Sequence, residues 1–198
     1  MSTAAVVSAA VELADEHGPG RLTLAAVARR TGVATPSLYK HVRSIEALRQ
    51  KVSARVTADL AKALSTAVAG RSGQDAVRSL AHAYRDYALS HPGRYPLTQR
   101  VPDSQDPSTW PRLSSRCRLS SPHFAATGWL GTQQPMPPEW HGAHFAAIDA
   151  TRVARSALHG FVSLEIDGGF GLPQDVGRSF ERLVRALHVS LRDWDDVP

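Results

Sequence analysis

The stretch RRTGVATPSLYKHV, residues 29–42, places a glycine, a proline and several polar side chains within fourteen positions. Gly32 is a helix-stop signal, because glycine readily adopts the left-handed backbone conformation that ends many helices. Thr35 followed by Pro36 is a helix-start signal, since a cap residue and a proline at the first helical position both suit the beginning of a helix. The stretch therefore predicts a tight turn followed by a short helix from Ser37 to Val42.

Two further helices are predicted before this turn. Apolar residues recur at three- and four-residue intervals from Val6 to Ala14, and the glycine-rich sequence at residues 18–20 ends that helix. Thr23 is an N-cap for a second helix that stops at Thr31. A helix, a tight turn and a second helix form the unit that places its second helix in the major groove of DNA.

The short helix after the turn has apolar side chains for the core and polar side chains for a partner, as reading of a DNA groove requires. Leu38 and Val42 are expected to face the core. The residues able to exchange hydrogen bonds with base edges and phosphates are Thr35, Ser37, Tyr39, Lys40 and His41. A structural role stays open for two of them, Tyr39 as a partly buried side chain and His41 as a solvated or capping one.

Charge favours an anionic partner for this segment. The chain carries a net charge of +5, and a single acid, Glu46, lies between residues 21 and 55. The basic residues there are Arg21, Arg29, Arg30, Lys40, Arg43, Arg49, Lys51 and Arg55. Such an excess gives sequence-independent affinity for phosphate that salt weakens. The alternative is a solvated basic surface without a partner.

Helical periodicity continues through the rest of the chain, and no segment alternates as a strand would. One long helix follows Ser44 as far as Gly70, another begins after Ser72, and two amphipathic helices lie within residues 147–194. The fold class predicted is all-α. An N-terminal three-helix helix-turn-helix DNA-binding domain is expected over residues 1–50, with a C-terminal helical ligand-binding and dimerisation domain over residues 51–198.

Residues 102–142 interrupt the helical pattern. They hold seven prolines, three of the four tryptophans and Cys117, and no long helix fits them. Two interpretations stay open for this irregular stretch. It is an excursion that covers a pocket, or it is encoded in a shifted reading frame, which resequencing of the gene would decide.

Composition and motifs argue against several other classes of protein. The single cysteine excludes an internal disulfide framework, and no apolar run approaches the ~18 residues of a membrane span, so a cytoplasmic protein without membrane contact is expected. The nine histidines show no metal-ligand spacing, and no nucleophile elbow or phosphate-binding glycine loop occurs. We therefore expect no enzyme, no metal and no cofactor.

The segment LTLAAVARRTGVATPSLYKHVRSIEALRQKV, within residues 4–64, resembles the N-terminal domain of the TetR family of one-component transcriptional regulators. The resemblance implies a homodimer that binds a palindromic double-stranded DNA operator, with repression as the expected outcome. It also implies a C-terminal domain that binds a small-molecule effector, here unknown, and releases the DNA. The DNA-binding positions it implies are Thr23, Thr35, Pro36, Ser37, Tyr39, Lys40, His41 and Arg43. The alternative is a helical small-molecule-binding protein with an impaired DNA-binding head.

Some family positions differ in this chain. Thr35, Ser37 and Lys40 match base-reading positions, whereas the lysine that often holds a phosphate at the start of the fourth helix is replaced by Ile45. Either Arg43 or Arg49 would have to compensate for it.

The C-terminal segment TRVARSALHGFVSLEIDGGFGLP resembles the regulatory domain of a TetR subgroup named for a Trp-His-Gly signature, here Leu158-His159-Gly160. A literal Trp-His-Gly at residues 140–142 lacks the flanking family residues, and we interpret it as coincidence. Candidate ligand-binding residues are Tyr84, Tyr87, His91, Arg152, Arg155 and His159. Candidate dimer-interface residues are Phe161, Phe180, Leu183, Val184, Leu187 and Leu191. The alternatives are buried aromatic and surface arginine residues for the first set, and burial within one chain for the second.

Overall fold

The computed structural model describes residues 1–100, 143–192 and 194, and the secondary structure of these residues is helical, as predicted. The α-helices of the first range are α1 Thr3–His17, α2 Leu24–Thr31, α3 Thr35–Leu38, α4 Ile45–Val68 and α5 Gly73–Ser90. Those of the second range are α6 Ala143–Ile166 and α7 Val176–Arg192. Short 3-10 turns cover Pro19–Arg21 and Tyr95–Gln99. The irregular stretch predicted at residues 102–142 lies outside the described residues.

Polar caps set the beginnings of the N-terminal helices. The Ser2 hydroxyl accepts a hydrogen bond from the Ala5 amide at 3.2 Å and caps α1. The Ser44 hydroxyl accepts one from the Ala47 amide at 3.1 Å, which confirms the predicted start of the long helix α4. Each bond satisfies one of the amide groups that have no partner inside the helix. None of the helices in the described ranges is long and apolar enough to span a membrane.

The described chain divides into two compact units. The first comprises residues 1–60 and 90–100, and the second comprises residues 61–89 and 143–192 with residue 194. The division therefore falls within α4, ten residues beyond the functional boundary predicted between residues 50 and 51, which stays a prediction.

The first unit is built around one apolar core. Its buried residues come from the first four helices, from the segments that join them and from the 3-10 turn after α5: Val6, Ala9, Ala10, Val11, Leu13, Ala14, Leu22, Val27, Ala28, Leu38, Val42, Leu48, Val52, Val56 and Leu97. Burial of each valine or leucine stabilises the fold by roughly 1.5–3 kcal/mol relative to exposure. A helix as short as α3 has little stability of its own, so this core must hold it in place.

Residues 91–100 belong to the first unit, although they follow α5 in the chain. Tyr95 and Leu97 are buried, and the Ser53 hydroxyl on α4 donates a hydrogen bond to the Leu97 carbonyl at 2.8 Å. The Arg94 guanidinium forms a bidentate ion pair with Asp15 on α1, in which Nε lies 2.6 Å from Oδ1. The first unit is therefore discontinuous in sequence.

Phe180 is the central core residue of the second unit. Its ring is fully buried, 5.2 Å from the Phe161 ring and 5.5 Å from the His82 ring in an edge-on contact. The Arg85 guanidinium lies 5.0 Å from the centre of the Phe180 ring and donates to Glu165 from Nε at 2.7 Å. The hydrogen bonds from Arg85 to Glu165 raise the pKa of the guanidinium. These contacts join α5, α6 and α7.

The burial of Phe180 bears on the predicted dimer interface, whose residues stay predictions. Phe180, Val184 and Leu187 are buried within the single chain, so they fill its own core, as the intramolecular alternative requires. The apolar stripe was read correctly as a buried surface, but periodicity does not show which helix covers it. Phe161, Leu183 and Leu191 are half-buried and stay candidates.

We expect Gly93→Ala to destabilise the first unit. A Cβ atom at this position would lie 2.3 Å from the Ala14 carbonyl oxygen and 2.9 Å from the Asp15 Cα, both of which are backbone atoms. Because backbone cannot rotate away as a flexible side chain does, the free energy of unfolding should fall by about 1–3 kcal/mol. Urea unfolding followed by circular dichroism measures it. Gly20→Ala is the matched control, since its Cβ would meet nothing within 4 Å; equal stability of the two variants would contradict the close packing.

Candidate nucleic-acid interface

The turn between α2 and α3 begins from a well-capped helix. The Thr23 hydroxyl accepts a hydrogen bond from the Ala26 amide at 3.1 Å, which confirms Thr23 as the N-cap of α2. At the other end Gly32 has a φ of 70°, a left-handed conformation that favours glycine, and the Val33 amide donates to the Ala28 carbonyl at 3.0 Å. These bonds fix the direction in which the chain enters α3.

The structure corrects the predicted bounds of α3. Ala34 occupies the cap position and no side chain caps the helix, so Thr35 is its first residue rather than its cap. The helix ends at Leu38, four residues before the predicted end. The His41 and Val42 amides then both donate to the Leu38 carbonyl, at 2.8 and 3.0 Å, in a turn that follows the helix.

Two apolar anchors hold the polar residues of this segment outside the core. Leu38 and Val42 are 0% and 2% exposed. Tyr39 is 57% exposed, so its alternative role as a partly buried residue is wrong. Of the other predicted DNA-binding residues, Thr23, Pro36, Lys40 and Arg43 are exposed, and Thr35, Ser37 and His41 are half-buried. The structure therefore brings all of the α3 candidates onto one connected segment, accessible from outside.

His41 also has a contact that sequence reasoning missed. Its Nδ1 lies 3.5 Å from the Oγ1 of Thr3, at the first residue of α1. The two residues are 38 positions apart, so no local pattern could have paired them. The contact places the beginning of α1 beside the segment that follows α3.

Three of the eight basic residues of this region, Arg30, Arg49 and Arg55, form side-chain hydrogen bonds or ion pairs within the first unit. Arg30 donates to Glu12 at 3.0 Å and to both oxygens of Glu16 at 2.6 Å, and these bonds lower the pKa of Glu16 and raise that of Arg30. Arg49 donates to the Leu22 carbonyl at 3.4 Å.

Arg55 pairs with Asp59 one turn along α4 at 3.1 Å. Four cations of this region have no hydrogen bond or ion pair among the described residues: Arg21, Arg29, Lys40 and Arg43. The charge available to an anionic partner is therefore concentrated beside α2 and α3.

The predicted ligand-binding residues do not converge on a described cavity. A cavity of about 170 Å³ in the second unit is lined by Gln74, Arg78, Glu181, Val184 and Arg185, and none of them is a predicted ligand-binding residue. Tyr84 and Tyr87 are buried on α5, His91 belongs to the first unit, and Arg152 on α6 is exposed and pairs with Asp149 at 3.2 Å.

Arg155 and His159 are half-buried one turn apart on α6, and the Nδ1 of His159 lies 3.4 Å from the Ser163 hydroxyl. The ligand-binding role of these six residues stays a prediction.

Sequence reasoning also missed a polar cluster beside the cavity. The Oε1 of Glu181 lies 2.7 Å from the Nε2 of His82 and 3.3 Å from the Nη2 of Arg78. Burial raises the pKa of the Glu181 carboxyl, but the hydrogen bonds from His82 and Arg78 lower it below its ordinary value overall. The cluster joins α5 to α7 and involves residues about 100 positions apart.

A capped helix, a left-handed glycine turn and a second helix with an exposed polar surface define a helix-turn-helix DNA-binding protein. A family model described as bacterial regulatory proteins, tetR family, matches residues 6–52. A second model, described as tetracyclin repressor-like, C-terminal domain, matches residues 77–187.

Similar proteins agree with this assignment. The HTH-type transcriptional regulator Rv0681 of Mycobacterium tuberculosis is 37% identical over 169 residues, which cover 85% of this chain and 72% of that protein. The HTH-type transcriptional regulator YobS of Bacillus subtilis is 30% identical over 183 residues, which cover 92% of this chain and 88% of that protein. The chain belongs to the TetR family of transcriptional regulators.

The fold matches that of a solved member. A variant of TetR from Acinetobacter baumannii, whose crystal structure is a complex with minocycline, superposes with a TM-score of 0.64 at 18% identity, and 97% of each chain is covered. At this identity the likeness concerns the fold alone.

We expect acidification to destabilise the second unit through His159. Burial, together with the neighbouring Arg155 charge, lowers the pKa of His159 below its ordinary value of 6.5. The unfolded chain therefore binds more protons than the folded chain between these two pKa values, so stability falls as the pH drops through 6.5. Urea unfolding of the wild type and His159→Gln at pH 7.5, 6.5 and 5.5, near the ordinary histidine pKa, measures this. The wild type should lose more stability than the variant; parallel losses would contradict the shift.

Proposed function

We propose that this chain is a ligand-responsive repressor that binds a two-fold symmetric DNA operator as a homodimer in the cytoplasm. One observation carries the proposal: Leu38 and Val42 are anchored in the core, so the polar residues of the α3 segment stay accessible beside cations that have no described partner. A second helix with this division of side chains suits the major groove.

The contacts proposed for single residues follow their accessibility. Thr35, Ser37 and Lys40 would contact base edges, and Pro36 would pack beside them at the beginning of α3. Tyr39 and His41 would contact backbone phosphates or a thymine methyl group. Thr23 is exposed at the beginning of α2, where the free amide groups of a helix end suit a phosphate.

Arg43 is the better candidate to replace the phosphate-binding lysine that this chain lacks at Ile45. Arg43 is exposed and has no partner among the described residues. Arg49 is half-buried, donates to the Leu22 carbonyl and lies 3.9 Å from Glu46. A guanidinium already engaged by the protein must lose these contacts before it can bind a phosphate.

Two exposed stripes support a dimer interface formed by α6 and α7. On α6 the exposed residues at helical spacing are Val153, Ser156, Gly160 and Leu164, and on α7 they are Ser179, Ala186 and Ser190 beside half-buried Leu183. Small residues let helices approach closely, and two helices from each subunit would form a four-helix bundle. Phe161 and Leu191 would lie at its margin.

A small-molecule effector is supported by the second unit and by the family. The TetR variant of A. baumannii binds minocycline in its crystal structure. In this chain the aromatic pair Tyr84 and Tyr87 on α5, and the polar pair Arg155 and His159 on α6, supply the apolar and hydrogen-bonding groups that ligand sites combine. We also propose that Leu158-His159-Gly160 on α6 places the chain in the Trp-His-Gly subgroup.

The second candidate function is a helical small-molecule-binding protein with an impaired DNA-binding head. The observation that favours it is Ile45 at the start of α4, where the apolar side chain cannot bind a phosphate.

Enrichment of duplexes from a random-sequence library by the purified chain separates the two functions. The regulator should enrich a motif with two-fold symmetry and bind it less tightly as salt is raised. Failure to enrich any motif would contradict operator binding and favour the second candidate.

We expect Lys40→Ala to weaken binding to the enriched duplex at least about tenfold, because a lost base or phosphate contact contributes roughly 1–3 kcal/mol. The free energy of unfolding should change little, since Lys40 is exposed and has no described partner. Fluorescence anisotropy titration measures the dissociation constant. Lys62→Ala, which removes an exposed lysine from the part of α4 in the second unit, is the control. An equal loss in both variants would contradict a specific role for Lys40.

A further inference from the structure

Glu46 is the only acidic residue between residues 21 and 55, and it lies in the first turn of α4. This helix end follows Arg43 and Ser44 directly and presents amide groups that suit a phosphate. A carboxylate at the same place would compete for the positive end of the helix and repel a phosphate. The Glu46 carboxylate therefore suits the helix itself but opposes a phosphate at this place unless another group neutralises it.

Two arginines from different parts of the chain compensate the Glu46 carboxylate. The Nη2 of Arg100 donates to Oε1, and the Nη1 of Arg49 lies 3.9 Å from Oε2. Arg49 is the weaker partner at that distance, and it also bonds to the Leu22 carbonyl. Arg100 is therefore the residue that neutralises Glu46 most directly.

The position of Arg100 is set by the core of the first unit. Its amide donates to the carbonyl of Leu97, which is 3% exposed and whose carbonyl also accepts the bond from Ser53. The Nε of Arg100 is buried and has no hydrogen-bond partner among the described residues. Among the described residues, Glu46 is the carboxylate that pairs with this guanidinium.

We propose that Arg100 is a positioning residue for operator binding. By pairing with Glu46 it neutralises the one acid of the basic segment, so that the beginning of α4 and Arg43 attract a phosphate. The residue lies 54 positions from Glu46, in the segment that returns from α5 to the first unit. This role rests on the proposed operator binding and adds to it a residue outside the helix-turn-helix.

A double-mutant cycle on the enriched duplex tests the role. Arg100→Gln should weaken binding about three- to tenfold at 50 mM salt and less at 300 mM, because salt screens exposed charges. Glu46→Gln should bind at least as tightly as the wild type. The double variant should bind within about twofold of the wild type, because its pair again carries no net charge. A loss that persists in the double variant, or no loss in Arg100→Gln, would overturn the proposal.

Two further variants separate charge from folding. Arg100→Lys keeps the positive charge and should restore most of the affinity. Arg55→Gln removes the same charge from α4 but breaks the pair with Asp59 instead, so it should bind nearly as the wild type does. Thermal unfolding of every variant identifies a loss of fold, and an equal loss of affinity in Arg55→Gln and Arg100→Gln would overturn the proposal.

The behaviour of the wild type distinguishes failure of the proposed function from failure of the role of Arg100. If it enriches no motif, the proposed function fails and this role fails with it. If the wild type binds its motif but Glu46→Gln does not rescue Arg100→Gln, operator binding stands and only the role of Arg100 is overturned.

Discussion

The burial of Leu38 and Val42 is the interaction on which the DNA-binding unit depends. A four-residue helix makes too few internal hydrogen bonds to persist alone, so its position comes from the core that α1, α2 and α4 share with it. Because these two side chains point inward, the residues between and beside them are exposed in a fixed arrangement. The burial of Leu38 and Val42 therefore both stabilises the helix and keeps Tyr39 and Lys40 accessible.

Contacts between residues distant in sequence decide which charges of the first unit are neutralised. Arg30 bonds to two glutamates of α1, whereas Lys40 and Arg43 keep their charges for a partner. The segment after α5 neutralises two further acids, since Arg94 pairs with Asp15 and Arg100 pairs with Glu46. The basic surface that a DNA phosphate would meet therefore depends on residues that precede α5 in the chain and on residues that follow it.

Local signals predicted most of the fold, and contacts between distant residues limited the rest. Thr23, Gly32 and Ser44 act through neighbours within a few positions, so the ends of α2 and the start of α4 could be predicted. The close approach of Gly93 to α1 could not, because no pattern links residues almost eighty positions apart. The exposed residues of the α3 segment were predicted, but the helix was predicted too long, because the turn after Leu38 leaves the same side chains accessible. The apolar stripe on α7 indicated burial at Phe180 without showing that Phe161 of the same chain covers it.

Protection of guanine N7 from dimethyl sulfate, measured on the enriched duplex with the full chain bound, tests the central claim most directly because N7 lies in the major groove. Two recognition segments held by buried anchors should protect two groups of guanines related by two-fold symmetry. Their centres should be separated by an integral number of helical turns of about 10 base pairs. A complex that protects a single group, or none, would contradict the binding of two α3 segments in the major groove.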